Sequence, residues 1–163
     1  MAIGKHAPKR LDRYLEIHST VMGHRIDEGF VVEDGLALER VPRGYLMTGR
    51  IRCVGGLCVD VRKLLRVIAG DGSTAMVQTV EYTYHVVLEG HGNVLRYCSP
   101  HDDEAHPEHK PFHHKHVYDV FAGDVVGTAA TIAGDSWPTL GEVLEEMRVW
   151  HADHTAEIEA PRR

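Results

Sequence analysis

The longest sustained alternation of apolar and polar side chains in this chain is TAMVQTVEYTYHVVL, residues 74–88. In an extended backbone Val80, Tyr82, Tyr84, Val86 and Leu88 fall on one side, and Thr79, Glu81, Thr83, His85 and Val87 on the other. A period of two places successive side chains on opposite faces of a strand, so the stretch predicts a long strand with an aromatic, apolar face turned to a core. The following EGHGN carries two glycines and closes a hairpin into residues 94–98. Pairing residue 89 with 94 puts His85, Val87, Val94, Arg96 and Cys98 on one face and turns Leu95 and Tyr97 inward. A slip of one residue would reverse the faces.

The flanking segments extend this pattern. GYLMTGRIRCVGGLCVDVRKLL reads as two strands about Gly55-Gly56, the second alternating Leu57, Val59, Val61 against Cys58, Asp60, Arg62. Asp34-Gly35 between two apolar runs signals another hairpin, ended by Pro42, and residues 69–73 (AGDGS) form a turn. Residues 112–120 supply a further strand, with His114 and His116 on one face and His113 and Lys115 on the other. Residues 123–135 are small and polar, hence loop-like.

Two segments have helical spacing instead. Leu11, Tyr14, Leu15, His18, Val21 and Met22 form one stripe, with Gly23 as its stop and His18 as a packed histidine. Thr139 with Glu142 three residues on is a capping box opening a second helix. There Leu140, Val143, Leu144, Met147 and Trp150 are apolar, and Glu145, Glu146 and Arg148 make the solvated side. Helix, antiparallel strands, helix is the order of an α+β domain. The expectation is a single antiparallel β-sheet of about four to six strands, with an N-terminal and a C-terminal helix packed on it. The 163 residues suit one domain, with a core over about 10–152 and flexible tails at 1–9 and 155–163.

Net charge is −6, which argues against a protein that coats nucleic acid indiscriminately but permits a local basic site. No apolar run reaches the roughly 18 residues of a membrane span, and MAIGKHAPKRLDR has no apolar signal core. Cys53, Cys58 and Cys98 show no Cys-x-x-Cys spacing and leave one thiol over in any disulfide scheme. Reduced thiols in a cytoplasmic protein with no membrane partner are therefore expected.

Eight of the 13 histidines lie between His85 and His116, and residues 109–116 (HKPFHHKH) contain no acid. Imidazole titrates near neutral pH, so the stretch proposes acid–base catalysis, metal binding or anion contact. As a metal-independent ribonuclease the chain would use His85, Arg96, His114 and His116, supported by Glu81, His113 and Lys115. A base takes the 2′-OH proton, an acid protonates the leaving 5′-oxygen, and arginine binds two phosphate oxygens. Arg96, Lys110, Lys115 and protonated His would hold the phosphates. Tyr82 and Tyr84 belong to the core, and Cys98 is packed rather than nucleophilic because nothing nearby lowers its pKa. No cofactor is needed for that chemistry. Zinc is the alternative, with His101, His106, His109, His114 and His116 as ligands, although no His-Glu-x-x-His signature is present. A non-catalytic module whose histidine-rich surface binds nucleic acid or a protein partner is the third reading.

Tyr82-Thr83-Tyr84-His85, Leu95-Arg96-Tyr97, His106-Pro107, the run Pro111-Phe112-His113-His114-Lys115-His116, and residues 140–147 (LGEVLEEM) together resemble the TumE family of toxin–antitoxin toxins. The likeness covers roughly residues 45–150, and the histidine run is its most specific part. Cys98-Ser99 stands where that family carries Asp-Asn, and Asp102-Asp103-Glu104 adds acids to the loop that follows. The resemblance implies a toxin with an RNA substrate and a DNA-binding antitoxin protein as partner. It leaves open whether the chain forms a homodimer.

Overall fold

The computed structural model describes residues 4–102, 104, 107, 111–122 and 129–161. In chain order its elements are β1 (Lys9–Arg10), α1 (Leu11–Asp27), β2 (Val31–Asp34), β3 (Ala37–Val41), β4 (Gly44–Cys53), β5 (Leu57–Ala69), β6 (Met76–Leu88), β7 (Gly92–Cys98), β8 (His113–Val117), β9 (Ala129–Ile132), α2 (Leu140–Asp153) and α3 (Thr155–Glu159). One nine-stranded antiparallel sheet runs β2-β4-β5-β6-β7-β8-β9, with β1 on β6 and β3 on β4. The α+β class holds, with more strands than the four to six expected.

The extra strands come from segments too short to show a period. Residues 123–135 were expected to be loop, yet Ala129–Ile132 pairs with β8 from Ile132 opposite His113 to Ala129 opposite His116. Residues 1–9 were placed outside the core, yet Lys9 and Arg10 pair with Val77 and Met76. His6 also stacks on Trp137, ring centroids 3.2 Å apart, and its Nε2 donates to the Trp137 carbonyl at 2.7 Å. At the other end Thr155–Glu159 forms a helical turn, and the His154 ring stacks on Trp150 at 4.3 Å.

Three local expectations are corrected. Asp34-Gly35 does not turn a hairpin: β2 and β3 both pair with β4 as successive segments of one edge. The Asp34 carboxylate accepts the Leu36 N–H at 3.0 Å, and Gly35 N donates to the Arg50 carbonyl at 3.0 Å. The chain therefore kinks and continues in the same direction. Gly49 faces this kink with φ 144, and a Cβ there would overlap the Gly35 carbonyl oxygen. Gly23 does not stop α1, which runs one turn further to Asp27 before Gly29 takes up φ 78. Residue 89 does not pair with 94. Leu88 pairs with Gly92, and Val94 is the extra residue of a bulge between Val87 opposite Asn93 and Val86 opposite Leu95. The true register differs from the expected one by two residues, an even number, so Arg96 and Cys98 still share the His85 face.

Both main helices lie on the other face. There Val59, Val61, Tyr84, Val86 and Tyr97 meet Met22 of α1, Trp137, and Leu140, Val143, Leu144 and Met147 of α2. The capping box is present: Thr139 Oγ1 accepts the Glu142 N–H at 3.2 Å, and Glu142 Oε2 accepts the Thr139 N–H at 2.7 Å. Glu146 is not on the solvated side of α2. It accepts the Tyr97 hydroxyl at 2.7 Å and pairs with Lys115, clamping the helix to the sheet. A second bulge leaves Val80 unpaired between Glu81 opposite Leu64 and Thr79 opposite Leu65. Beyond it Val77, rather than Val80, reaches the core, where it packs with Leu11 and Leu65 in a second apolar cluster.

Candidate functional site

Antiparallel pairing lines up residues on one face in rows across the strands. One row on the helix-free face reads Arg50, Asp60, His85, Arg96, His116, each directly opposite the next across β4 to β8. At about 4.8 Å between strands, the His85 and His116 backbones lie roughly 10 Å apart with Arg96 midway. The next row carries Arg62, Thr83, Cys98 and His114. Three of the four principal catalytic candidates therefore stand in a single line, and His114 is their neighbour.

His85 Nε2 contacts Asn93 Oδ1 at 2.7 Å. An amide oxygen only accepts, so Nε2 carries the hydrogen and Nδ1 keeps the lone pair for taking a proton. Asp60, opposite His85, is held by Arg50 through two bonds of 2.7 and 2.9 Å, and the guanidinium keeps its carboxyl below the usual carboxylate range. Arg52 pairs with Glu89 at 2.9 Å and Arg62 with Glu81 at 3.5 Å. Arg96 differs from these three. Its Nε donates to Cys98 Sγ at 3.1 Å, and its Nη groups meet no carboxylate among the described residues. Burial pushes the Cys98 thiol up despite Arg96 beside it, which leaves it a protonated donor–acceptor rather than a thiolate.

His114 is 1% exposed. Its ring meets that of His116 edge-on at 5.0 Å and that of His101 at 4.9 Å, so it is buried against both rings and does not present itself to a substrate. Glu81 shares the face but stands four residues along β6 from His85 and is engaged by Arg62. His113 and Lys115 are on the opposite face. The His113 Nδ1 bonds the Tyr82 hydroxyl at 2.8 Å, its ring stacks on Trp137, and burial lowers its pKa. Lys115 pairs with Glu146 above the Tyr97 ring. These two residues support the packing of α2 and do not join the row. His106, His109 and Lys110 lie outside the described residues. Among the described residues no group of three or more His, Cys, Asp or Glu has the arrangement of a metal site. No described helix is long and apolar enough to cross a membrane, and Cys53, Cys58 and Cys98 are free thiols.

Sequence reasoning missed Arg50, Asp60 and Asn93. Asp60 sat on the outward set of the β5 alternation, which was a usable signal. The contacts that give all three meaning cross between strands and have no sequence spacing. No family model, no curated protein and no solved structure matches this chain.

Proposed function

We propose that the chain is a metal-independent endoribonuclease and acts as a TumE-like toxin, neutralised by a DNA-binding antitoxin protein in the cytoplasm. The observation that carries the reading is Arg96, an arginine without a carboxylate partner among the described residues, flanked in one row by His85 and His116. Arg96 binds two phosphate oxygens and stabilises the charge that grows on them. His85 takes the 2′-OH proton on Nδ1 as the 2′-oxygen attacks phosphorus. His116, protonated, gives its proton to the 5′-oxygen as the P–O5′ bond breaks. The products are a 2′,3′-cyclic phosphate and a 5′-hydroxyl. Asn93 sets the tautomer of His85, and Asp60, held by Arg50, places a carboxylate opposite it on the neighbouring strand. A protein of net charge −6 holds RNA here through a local contact, so binding is modest and salt-sensitive.

The test is cleavage of a labelled structured RNA with and without EDTA, beside His85→Ala, His116→Ala and Arg96→Ala. Cleavage is expected to survive EDTA, to rise below pH 7, and to fall by about 10²–10⁴-fold in either histidine variant. Cleavage abolished by EDTA and restored by zinc would assign the histidines to a metal instead. RNA binding without cleavage would leave a non-catalytic module.

A further inference from the structure

The inward positions of β5 read Leu57, Val59, Val61, Lys63, Leu65: a lysine interrupts the apolar row beneath the helices. Lys63 is 7% exposed, and no carboxylate pairs with it among the described residues. Its ammonium stands 5.0 Å over the Tyr14 ring and 5.9 Å from that of Tyr84, whose wholly buried hydroxyl has no hydrogen-bond partner among the described residues. A second cation, Lys9, is close enough to depress Lys63 further, and its own Nζ is held only by the carbonyls of Lys5 and Ala7. The nearby acids are engaged elsewhere, Glu142 by Lys5 at 2.8 Å and Asp34 beside His18 at 3.6 Å.

Lys63 lines a cavity of about 150 Å³ between α1, the start of α2 and the sheet. Tyr14, Val21, Val77 and Leu140 form apolar walls, and the exposed Ile17 marks its opening. The N-terminus of α2 borders it through Leu140 and Gly141, the two first-turn residues whose N–H groups the capping box does not use. Helix N-termini attract anions. An ammonium buried without a counter-charge costs free energy that a bound anion recovers.

We propose that this cavity is a binding site for a small carboxylate with an apolar body, its carboxylate on Lys63 and its body between Tyr14, Val21 and Val77. The volume is that of an apolar cavity known to accept benzene, so an aromatic monoacid fits where a larger ligand would not. The site lies on the helix face of the sheet and does not depend on the row containing Arg96.

The test uses the full chain, with benzoate and its neutral isostere benzamide as probes, followed by calorimetry and by amide NMR shifts. Benzoate is expected to bind at least tenfold tighter than benzamide, with the largest shifts at Val21, Val77 and Gly141. Lys63→Met is expected to remove the preference between the two probes. Benzoate binding no tighter than benzamide in the wild type, or shifts centred away from this cavity, would overturn the proposal without recourse to any variant. Inorganic phosphate binding as tightly as benzoate would overturn the requirement for an apolar body.

Discussion

Replacing Lys63 by Met should stabilise this protein near neutral pH and flatten its response to alkali. Burial, with Lys9 adding to it, pushes the Lys63 ammonium down from 10.5 to about 8. In the unfolded chain the group keeps its ordinary pKa, so between about pH 8 and 10.5 the unfolded state binds more protons than the folded one. Stability therefore rises with pH across that window. Below pH 8 both states are protonated, and the folded state bears the whole cost of the buried charge. At roughly 1.4 kcal/mol per pH unit, the interval corresponds to about 3 kcal/mol. Methionine fills much the same volume with no charge, and forfeits a contact over the Tyr14 ring worth about 0.5–2 kcal/mol. The net expectation is a gain of roughly 1–3 kcal/mol at pH 7 that shrinks as pH climbs past 8. Urea unfolding of both proteins at pH 7, 8, 9 and 10 under reducing conditions reads the difference directly, provided the m-values agree. A variant less stable at pH 7, or a gap that stays constant from pH 7 to 10, would refute the reasoning.

Other expectations follow from single contacts. His113→Ala removes the partner of the Tyr82 hydroxyl and should cost about 1–3 kcal/mol in chemical denaturation while leaving RNA cleavage unchanged, because its ring is on the helix face. Thr139→Ala breaks the capping box and should lower stability by about 1 kcal/mol, read as a shift in the urea midpoint. Gly49→Ala places a Cβ against the Gly35 carbonyl in a backbone conformation that side chains avoid. It should cost at least about 2 kcal/mol, with amide exchange quickening first along β2 and β3.

The local rules that were legible in the chain are those with a fixed spacing. The period-two alternation of residues 82–88, the turn at Gly55-Gly56 and the capping box at Thr139 each act over a few residues, so they survive into the structure as read, whereas the bulge at Val80 shifts the phase of the strand before it. They were enough to identify an α+β domain and to put His85, Arg96 and Cys98 on a common face. Pairing between distant strands was not legible in the same way. Asp34-Gly35 has the composition of a hairpin turn, but β4 offers both flanking segments an edge, and both pair with it instead of with each other. Whether His113 and Lys115 or His114 and His116 faced Arg96 turned on the pairing of β8 with β7. Alternation alone left both faces polar and therefore equivalent. Lys63 is the clearest case. Its sequence context shows only a lysine in an alternating strand, and a lysine's long stem commonly carries its charge out to water. Its burial is decided by α1 and the start of α2 closing over it from residues about 50 and 80 positions away. Composition and periodicity describe what a segment prefers by itself. The charge left under the helices, and the Arg96 row on the opposite face, exist only because the sheet brings together segments that no local preference connects.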